Sequence, residues 1–276
     1  MVFFPNCKIN LGLNIISKRV DGYHELETVF YPIGLKDALE IIQKEPIDTV
    51  SHGEIQFQSS GLVIKGDPDD NLCIKAYKRL QKDFPELPSV QMHLHKVIPM
   101  GAGLGGGSAD GAFTLQLLNQ YFQLSLTKEK LASYALELGS DCPFFIYNKP
   151  AFASSRGEKI EEIFLDLSGY KWLIVCPAIH ISTAWAFANI SPKKPTVSIL
   201  DIIQTPITDW KSNLQNDFEP AIIEHYPEIG EIKTELYQQG ALYASLSGSG
   251  SAVYGLFQKD CSVSLSFQNK YRVNEI

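Results

Sequence analysis

The chain has 276 residues, enough for two modest domains or one large one, and its 45% hydrophobic and 20% charged content is ordinary for a globular protein. A net charge of −7 argues against general affinity for nucleic acid or a membrane surface, both of which favour a basic face. The opening Met-Val-Phe-Phe-Pro-Asn lacks the basic and apolar regions of a signal peptide, and no run of about 20 apolar residues is present to span a bilayer. Taken in chain order, residues 7–16 alternate with apolar Ile9, Leu11, Leu13 and Ile15 and read as a strand; 38–43 and 54–58 read as further strands. Asp69-Asp70-Asn71 precedes a helix over 72–82, and a strand over 90–97 follows. Helices are expected over 109–123 and over 128–138, the second ended by Gly139. Strands at 160–164 and 172–176, a loop at 191–196, a short helix near 218–225 and a Pro227-led helix up to Gly240 come next. Strands at 241–246 and 252–257, and a last one at 271–276, complete the chain. Mixed strands and paired helices indicate an α+β protein in two units, a first over 1–152 and a second over 153–276.

Pro99-Met100-Gly101-Ala102-Gly103-Leu104-Gly105-Gly106-Gly107-Ser108 holds five glycines in seven residues. Each glycine in a packed element costs roughly 0.5–1 kcal/mol relative to alanine, so such density calls for backbone N–H groups closely approached by an anion. The loop feeds a helix whose start Ser108 or Asp110 can cap, and a helix N-terminus is a ready phosphate site. A Walker A loop is excluded because no lysine follows the glycines. Gly101, Gly103 and Gly106 match Gly-x-Gly-x-x-Gly by letter, but two consecutive helices follow instead of the βαβ unit that a dinucleotide fold requires. The five cysteines (7, 73, 142, 176 and 261) include no Cys-x-x-Cys pair, which suits reduced thiols in a cytoplasm, not a disulfide framework or zinc site.

Other pieces are weaker alone. Lys8 and Asn10 share one strand face, either aimed at a substrate or solvated on an edge strand. Asp21-Gly22 marks a turn beside Tyr23 and His24, whose rings read as a base platform or as ordinary core or surface. Asp141 in Leu-Gly-Ser-Asp-Cys-Pro reads as a turn or cap residue unless catalytic.

In order along the chain, however, Lys8-x-Asn10-Leu, Asp21-Gly-Tyr-His24, the glycine loop, Gly139-Ser-Asp141 and Ser247-Gly-Ser-Gly-Ser251 resemble the GHMP kinases over roughly residues 6–255. The Asp-Gly-Tyr-His segment resembles one branch of that family, whose substrate is a methylerythritol carried on cytidine diphosphate in the non-mevalonate isoprenoid route. The resemblance implies a two-layer fold with an S5-like N-terminal and a ferredoxin-like C-terminal domain. It implies that ATP, as Mg-ATP, phosphorylates the 2-hydroxyl, with Lys8 and Asp141 at the transferring group. It further places Pro99 to Ser108 on the ATP phosphates, with Ser108 toward a phosphate or Mg²⁺, and Lys96 and Asn71 near the adenosine. Tyr23 and Phe187 would sandwich the cytosine and His24 would bond its edge. Asn10 and Thr183 would meet the erythritol or diphosphate, and Gly248, Ser249 and Gly250 would close on the substrate. Small-molecule nucleotides are the implied partners, without nucleic acid or membrane, in a cytoplasmic monomer or weak homodimer. Ala109 departs from the family, which often has a second serine there, and no carboxylate besides Asp141 is an obvious magnesium ligand. The competing readings are a GHMP kinase for another alcohol and a non-catalytic nucleotide-binding relative.

Overall fold

The computed structural model describes residues 1–43, 53–267 and 270–276. In chain order the elements are β1 (Val2–Phe3), β2 (Asn6–Lys18), β3 (His24–Lys36), β4 (Ala38–Gln43), β5 (Ile55–Gly61), α1 (Leu72–Asp83), β6 (Val90–Lys96), α2 (Gly106–Tyr121), α3 (Lys128–Leu138), α4 (Cys142–Tyr147), β7 (Ala151–Ser155), β8 (Lys159–Glu162), β9 (Tyr170–Cys176), α5 (Thr183–Ala188), α6 (Ile199–Ile202), α7 (Ile207–Asn213), α8 (Glu219–His225), α9 (Pro227–Gln238), β10 (Tyr243–Leu246), β11 (Val253–Gln258) and β12 (Arg272–Glu275). They form two compact units. One comprises Met1–Cys7, Gly34–Met100 and Gly105–Lys149; the other comprises Lys8–Ile33, Gly101–Leu104 and Pro150–Ile276.

The first unit carries a four-stranded sheet in the order β1-β4-β6-β5, with β5 parallel to β6 and the other pairs antiparallel. Strand β6 buries Val90, Met92, Leu94 and Lys96 on one face, following the period-two alternation. Helix α1 starts where Asn71 accepts a bond from the Cys73 N–H at 2.8 Å, and its Cys73, Ile74, Ala76, Tyr77 and Leu80 are buried. Gly111 lets α2 approach α1, since a Cβ there would lie 2.9 Å from Leu72 Cβ.

The second unit holds the sheet β2-β3-β7-β8 and the sheet β10-β11-β9-β12. Numbered by its own strands, the latter runs 2-3-1-4, antiparallel at every pairing. That is the ferredoxin-like order, although among the described residues no helix joins β11 to β12. Its core gathers Leu173, Val175, Ile222, Ile229, Ile232, Leu236, Leu246, Val253 and Phe257. The apolar side of α9, with Ile229, Ile232 and Leu236 buried, joins that core.

Several elements differ from the sequence expectation. Helix α2 begins at Gly106, three residues before the expected 109, so the last glycines of the loop already adopt helical geometry. Neither Ser108 nor Asp110 caps it; Gly105 occupies the N-cap at φ 68° with no side-chain bond. Strand β3 carries no clear strand signal because Pro32 interrupts its run, but its pairs with β7 span Leu26 to Phe30, so the missing N–H of Pro32 costs no bond there. Strand β7 and the short helices α4, α5, α6 and α7 also lacked a clear periodic signal.

Candidate active site

In the second unit, the start of β2 and two loops enclose the Lys8 ammonium. Lys8 and Asn10 lie on one face of β2, as the alternation requires, but both are 3% exposed, which excludes the edge-strand alternative. Lys8 Nζ donates to Asn10 Oδ1 at 2.6 Å and to the Gly103 carbonyl at 3.2 Å, and lies 4.7 Å from the Phe30 ring centroid. Asn10 Nδ2 donates in turn to Thr28 Oγ1 at 3.0 Å, and that hydroxyl donates to the Gly12 carbonyl. Both ends of the Asn10 amide are thus engaged internally, so the structure makes it a group that orients Lys8 before it is a substrate contact. Thr28 was not singled out by sequence, because a threonine within a strand carries no distinguishing pattern.

The first half of the glycine loop is stitched into this cluster. Gly103 accepts from Ser247 Oγ at 2.8 Å, Leu104 accepts from Lys8 N at 3.0 Å, and Ala102 accepts from Ala252 N at 3.0 Å. A Cβ on Gly103 would lie 1.9 Å from the Ser247 carbonyl oxygen, and its φ is +78°. This glycine therefore answers to packing against the Ser247–Ser251 loop as well as to any anion. Asn216 Nδ2 anchors that loop by donating to the Leu246 and Gly248 carbonyls, each at 2.9 Å. Its neighbourhood in sequence gave no hint of this role. Thr183 and Ser249, expected near one substrate, have their hydroxyl oxygens 3.1 Å apart.

The second half of the loop lies in the first unit. Gly106, Gly107 and Ser108 form the first turn of the 16-residue α2. The first-turn N–H groups lack intrahelical acceptors, and the helix dipole places partial positive charge there. Ser108 bonds the Cys142 thiol, which neighbours Asp141; burial pushes that thiol up to about 12, with the Asp141 charge adding to the rise. Asp141 precedes α4 at the N-cap position, yet its side chain makes no capping bond. Of the structural alternatives for this residue, the turn is present, closed by Cys142 N donating to the Gly139 carbonyl at 3.1 Å, while the side-chain cap is not.

Lys96 requires a correction. Its alternation on β6 turns it into the core, where Nζ pairs with Asp37 Oδ2 at 2.5 Å and Asp110 Oδ2 at 2.6 Å, with no exposed side-chain surface. Asp37 also accepts from Val97 N and Ile98 N. Burial alone would lower the lysine, but the Asp110 and Asp37 carboxylates hold it above its ordinary value. Contact with adenosine would require breaking this buried triad, so the structure assigns Lys96 to anchoring the strand that leads into the glycine loop. Asn71, the other residue expected near adenosine, serves as the cap of α1.

At the turn between β2 and β3, Tyr23 is 57% exposed, with the Arg156 guanidinium carbon 4.8 Å from its ring centroid. Tyr23 and Phe187 are the two rings expected on either face of the cytosine; the His24 imidazole stacks on Phe187 at 4.8 Å and 19°, and Phe187 meets Phe218 edge-on at 4.9 Å. Burial lowers His24, helped by the Lys18 charge, which favours a neutral imidazole able both to donate and to accept.

A glycine-rich loop running into a helix N-terminus, a buried lysine bonded to that loop, and two α+β units define a small-molecule kinase of the GHMP type. The family model for the GHMP kinases N terminal domain matches residues 71–149, the model for the GHMP kinases C terminal matches residues 205–264, and the chain belongs to this family. Among its relatives, the 4-diphosphocytidyl-2-C-methyl-D-erythritol kinase of Bacteroides thetaiotaomicron is 53% identical over 260 residues, covering 94% of this chain and 93% of that one. The enzyme of the same description from Cytophaga hutchinsonii is 46% identical, covering 93% and 92%. A crystal structure of 4-(cytidine 5'-diphospho)-2C-methyl-D-erythritol kinase superposes with a TM-score of 0.84 at 28% identity, covering 100% and 98%. Mevalonate kinase from Methanococcus jannaschii, at 15% identity and TM-score 0.73 over 100% and 97%, shares the fold.

Proposed function

We infer that this chain transfers the γ-phosphoryl group of ATP to the 2-hydroxyl of 4-diphosphocytidyl-2-C-methyl-D-erythritol, giving the 2-phosphate and ADP, a step toward isopentenyl diphosphate in the non-mevalonate route. The observation that carries this reading is the 53% identity to a kinase of that description across 94% of the chain. The acceptor hydroxyl must lose its proton as it attacks, and Asp141 is the proposed acceptor of that proton. Lys8, oriented by Asn10 and Gly103, is proposed to face the charge that spreads over the transferring group. Its bonds set its direction in advance, so little reorganisation is needed, and phosphoryl transfer depends mostly on such positioning.

The N–H groups around Gly105 to Ser108 are proposed to hold the ATP phosphates, with Asn71 toward the adenosine. Among the described residues no group of three His, Cys, Asp or Glu side chains stands ready for a metal. Mg²⁺ commonly rests on one or two carboxylates plus substrate phosphates, so the oxygen donors Asp141 and Ser108 fit an ion brought by ATP. Bound there, it would neutralise phosphate charge. Tyr23 and Phe187 are proposed to sandwich the cytosine, with His24 as its edge partner and stacked on Phe187. Thr183, Gly248, Ser249 and Gly250 are proposed to meet the substrate. Residues 1–152 and 153–276 are the proposed domains, and a monomer or weak homodimer in the cytoplasm is the proposed state. The five cysteines form no disulfide, which suits that setting, and among the described residues no helix is long and apolar enough to cross a membrane.

The test is ADP release with Mg-ATP, offering the cytidine diphosphate substrate beside mevalonate, homoserine and galactose. Release with the cytidine compound alone is expected. Release with another alcohol instead would leave the fold and remove the substrate.

A further inference from the structure

Two hairpin turns stand at the same end of the sheet β2-β3-β7-β8, because Leu26 at the start of β3 pairs with Ser155 at the end of β7. Side chains tie them together. Arg19 Nη1 donates to Ser155 Oγ at 2.9 Å and pairs with Glu25 Oε2 at 2.8 Å. Ser155 is buried and takes a left-handed φ of 64°, and Arg156 N donates to Glu158 Oε2 at 2.7 Å. These constraints carry the Arg156 guanidinium to 4.8 Å from the Tyr23 ring, whose own backbone N–H is held by Asp21 Oδ1 at 3.1 Å.

We propose that Arg156 is a positioning residue for the nucleobase: its guanidinium covers one face of Tyr23 and holds the ring so that the opposite face receives the cytosine. This rests on the reading of Tyr23 as the base platform. A cation within about 6 Å of an aromatic centroid is attracted by the ring quadrupole, and the planar guanidinium stacks where an ammonium cannot. An exposed tyrosine otherwise samples several rotamers, and ordering it on binding lowers affinity. Arg156 belongs to no motif that pointed to the family, so sequence reading passed over it.

The experiment measures CDP binding by calorimetry, together with KM for both substrates, in Arg156→Ala, Arg156→Lys, Tyr23→Ala and the Tyr23→Ala/Arg156→Ala double variant. Arg156→Ala is expected to weaken CDP roughly two- to fivefold, Arg156→Lys less, with KM for ATP unmoved. In the Tyr23→Ala background, removing Arg156 is expected to cost nothing further, because its action passes through the ring. Unchanged or tighter CDP binding in Arg156→Ala overturns the proposal. A loss that persists without Tyr23 also overturns it and makes the arginine a direct phosphate contact. Normal CDP binding by Tyr23→Ala alone removes the platform reading and this proposal with it, an outcome distinct from failure of Arg156 alone.

Discussion

Gly107 is the position in the loop where ligand crowding separates from folding. Gly101, Gly103 and Gly105 have φ of +67°, +78° and +68°, which a side chain rarely adopts, and a Cβ on Gly106 would lie 2.8 Å from Ile98 Cγ2. At Gly107 the φ is ordinary and a Cβ would meet nothing within 4 Å. Alanine there replaces glycine in the first turn of α2, where it is worth up to about 0.5–1 kcal/mol. Thermal unfolding of Gly107→Ala should therefore occur at the same temperature as the parent or a few degrees higher, at roughly 2–4 °C per kcal/mol. If phosphate packs against this turn, the methyl displaces it from a backbone donor. Losing one hydrogen bond to a charged group costs about 1.5–3 kcal/mol, so the Kd for ATP should rise roughly 10- to 150-fold. Calorimetry with ATP and KM from coupled ADP release both read the effect, and KM for the alcohol substrate should hold. Gly103→Ala is the contrasting variant, expected to lose the fold because its Cβ would collide with the Ser247 carbonyl. A Gly107→Ala protein that melts normally and binds ATP with parental affinity would refute the assignment of the loop to phosphate.

Asp141→Asn should abolish turnover while ATP still binds by calorimetry; turnover at the parental rate would remove Asp141 as the proton acceptor. Lys96→Ala leaves the buried Asp37 and Asp110 side chains without the cation they share, so urea unfolding should show a loss of about 3–5 kcal/mol, and a loss under 1 kcal/mol would contradict the buried triad. Burial pushes Asp110 up to about 8, with Asp37 adding to the rise against the pull of Lys96. Between about pH 4 and pH 8 the folded chain thus holds a proton that the unfolded carboxyl has released; this contribution is complete below the unfolded value and is lost as pH rises through the folded one. Asp110→Asn should flatten that decline in stability, and an unaltered pH dependence would show that another group causes it. Cys73, Cys142 and Cys176 are buried and their thiols pushed upward by burial, whereas Cys261 is half-buried. Iodoacetamide on the native protein at pH 8 should label Cys261 first, and equal labelling of Cys142 by mass spectrometry would contradict the burial of α4.

Local physics made much of this protein legible from its residues. Alternation in 7–16 and 90–97, the Asn71 cap, Gly139 after α3 and the Pro227 start of α9 each act within a few residues, so the elements they specify appeared where expected. The ordered motifs likewise announced the family, and the glycine loop is the basis of the phosphate site proposed above. What sequence could not supply was the partner of each side chain. Alternation put Lys96 on a face of β6, but only packing revealed that Asp37 and Asp110 fill that face. Lys8 and Asn10 were visible as a pair, and Ser247 as part of a motif, while the bonds that tie Thr28 and Ser247 to Asn10 across 18 and 237 residues were not. The glycines looked alike in sequence. Their surroundings distinguish Gly103, required by a carbonyl 144 residues further on, from Gly107, which faces open space. Backbone propensity is local and readable one segment at a time; hydrogen-bond partners, burial and close approach are set by chain return, and these were decided only in the folded molecule.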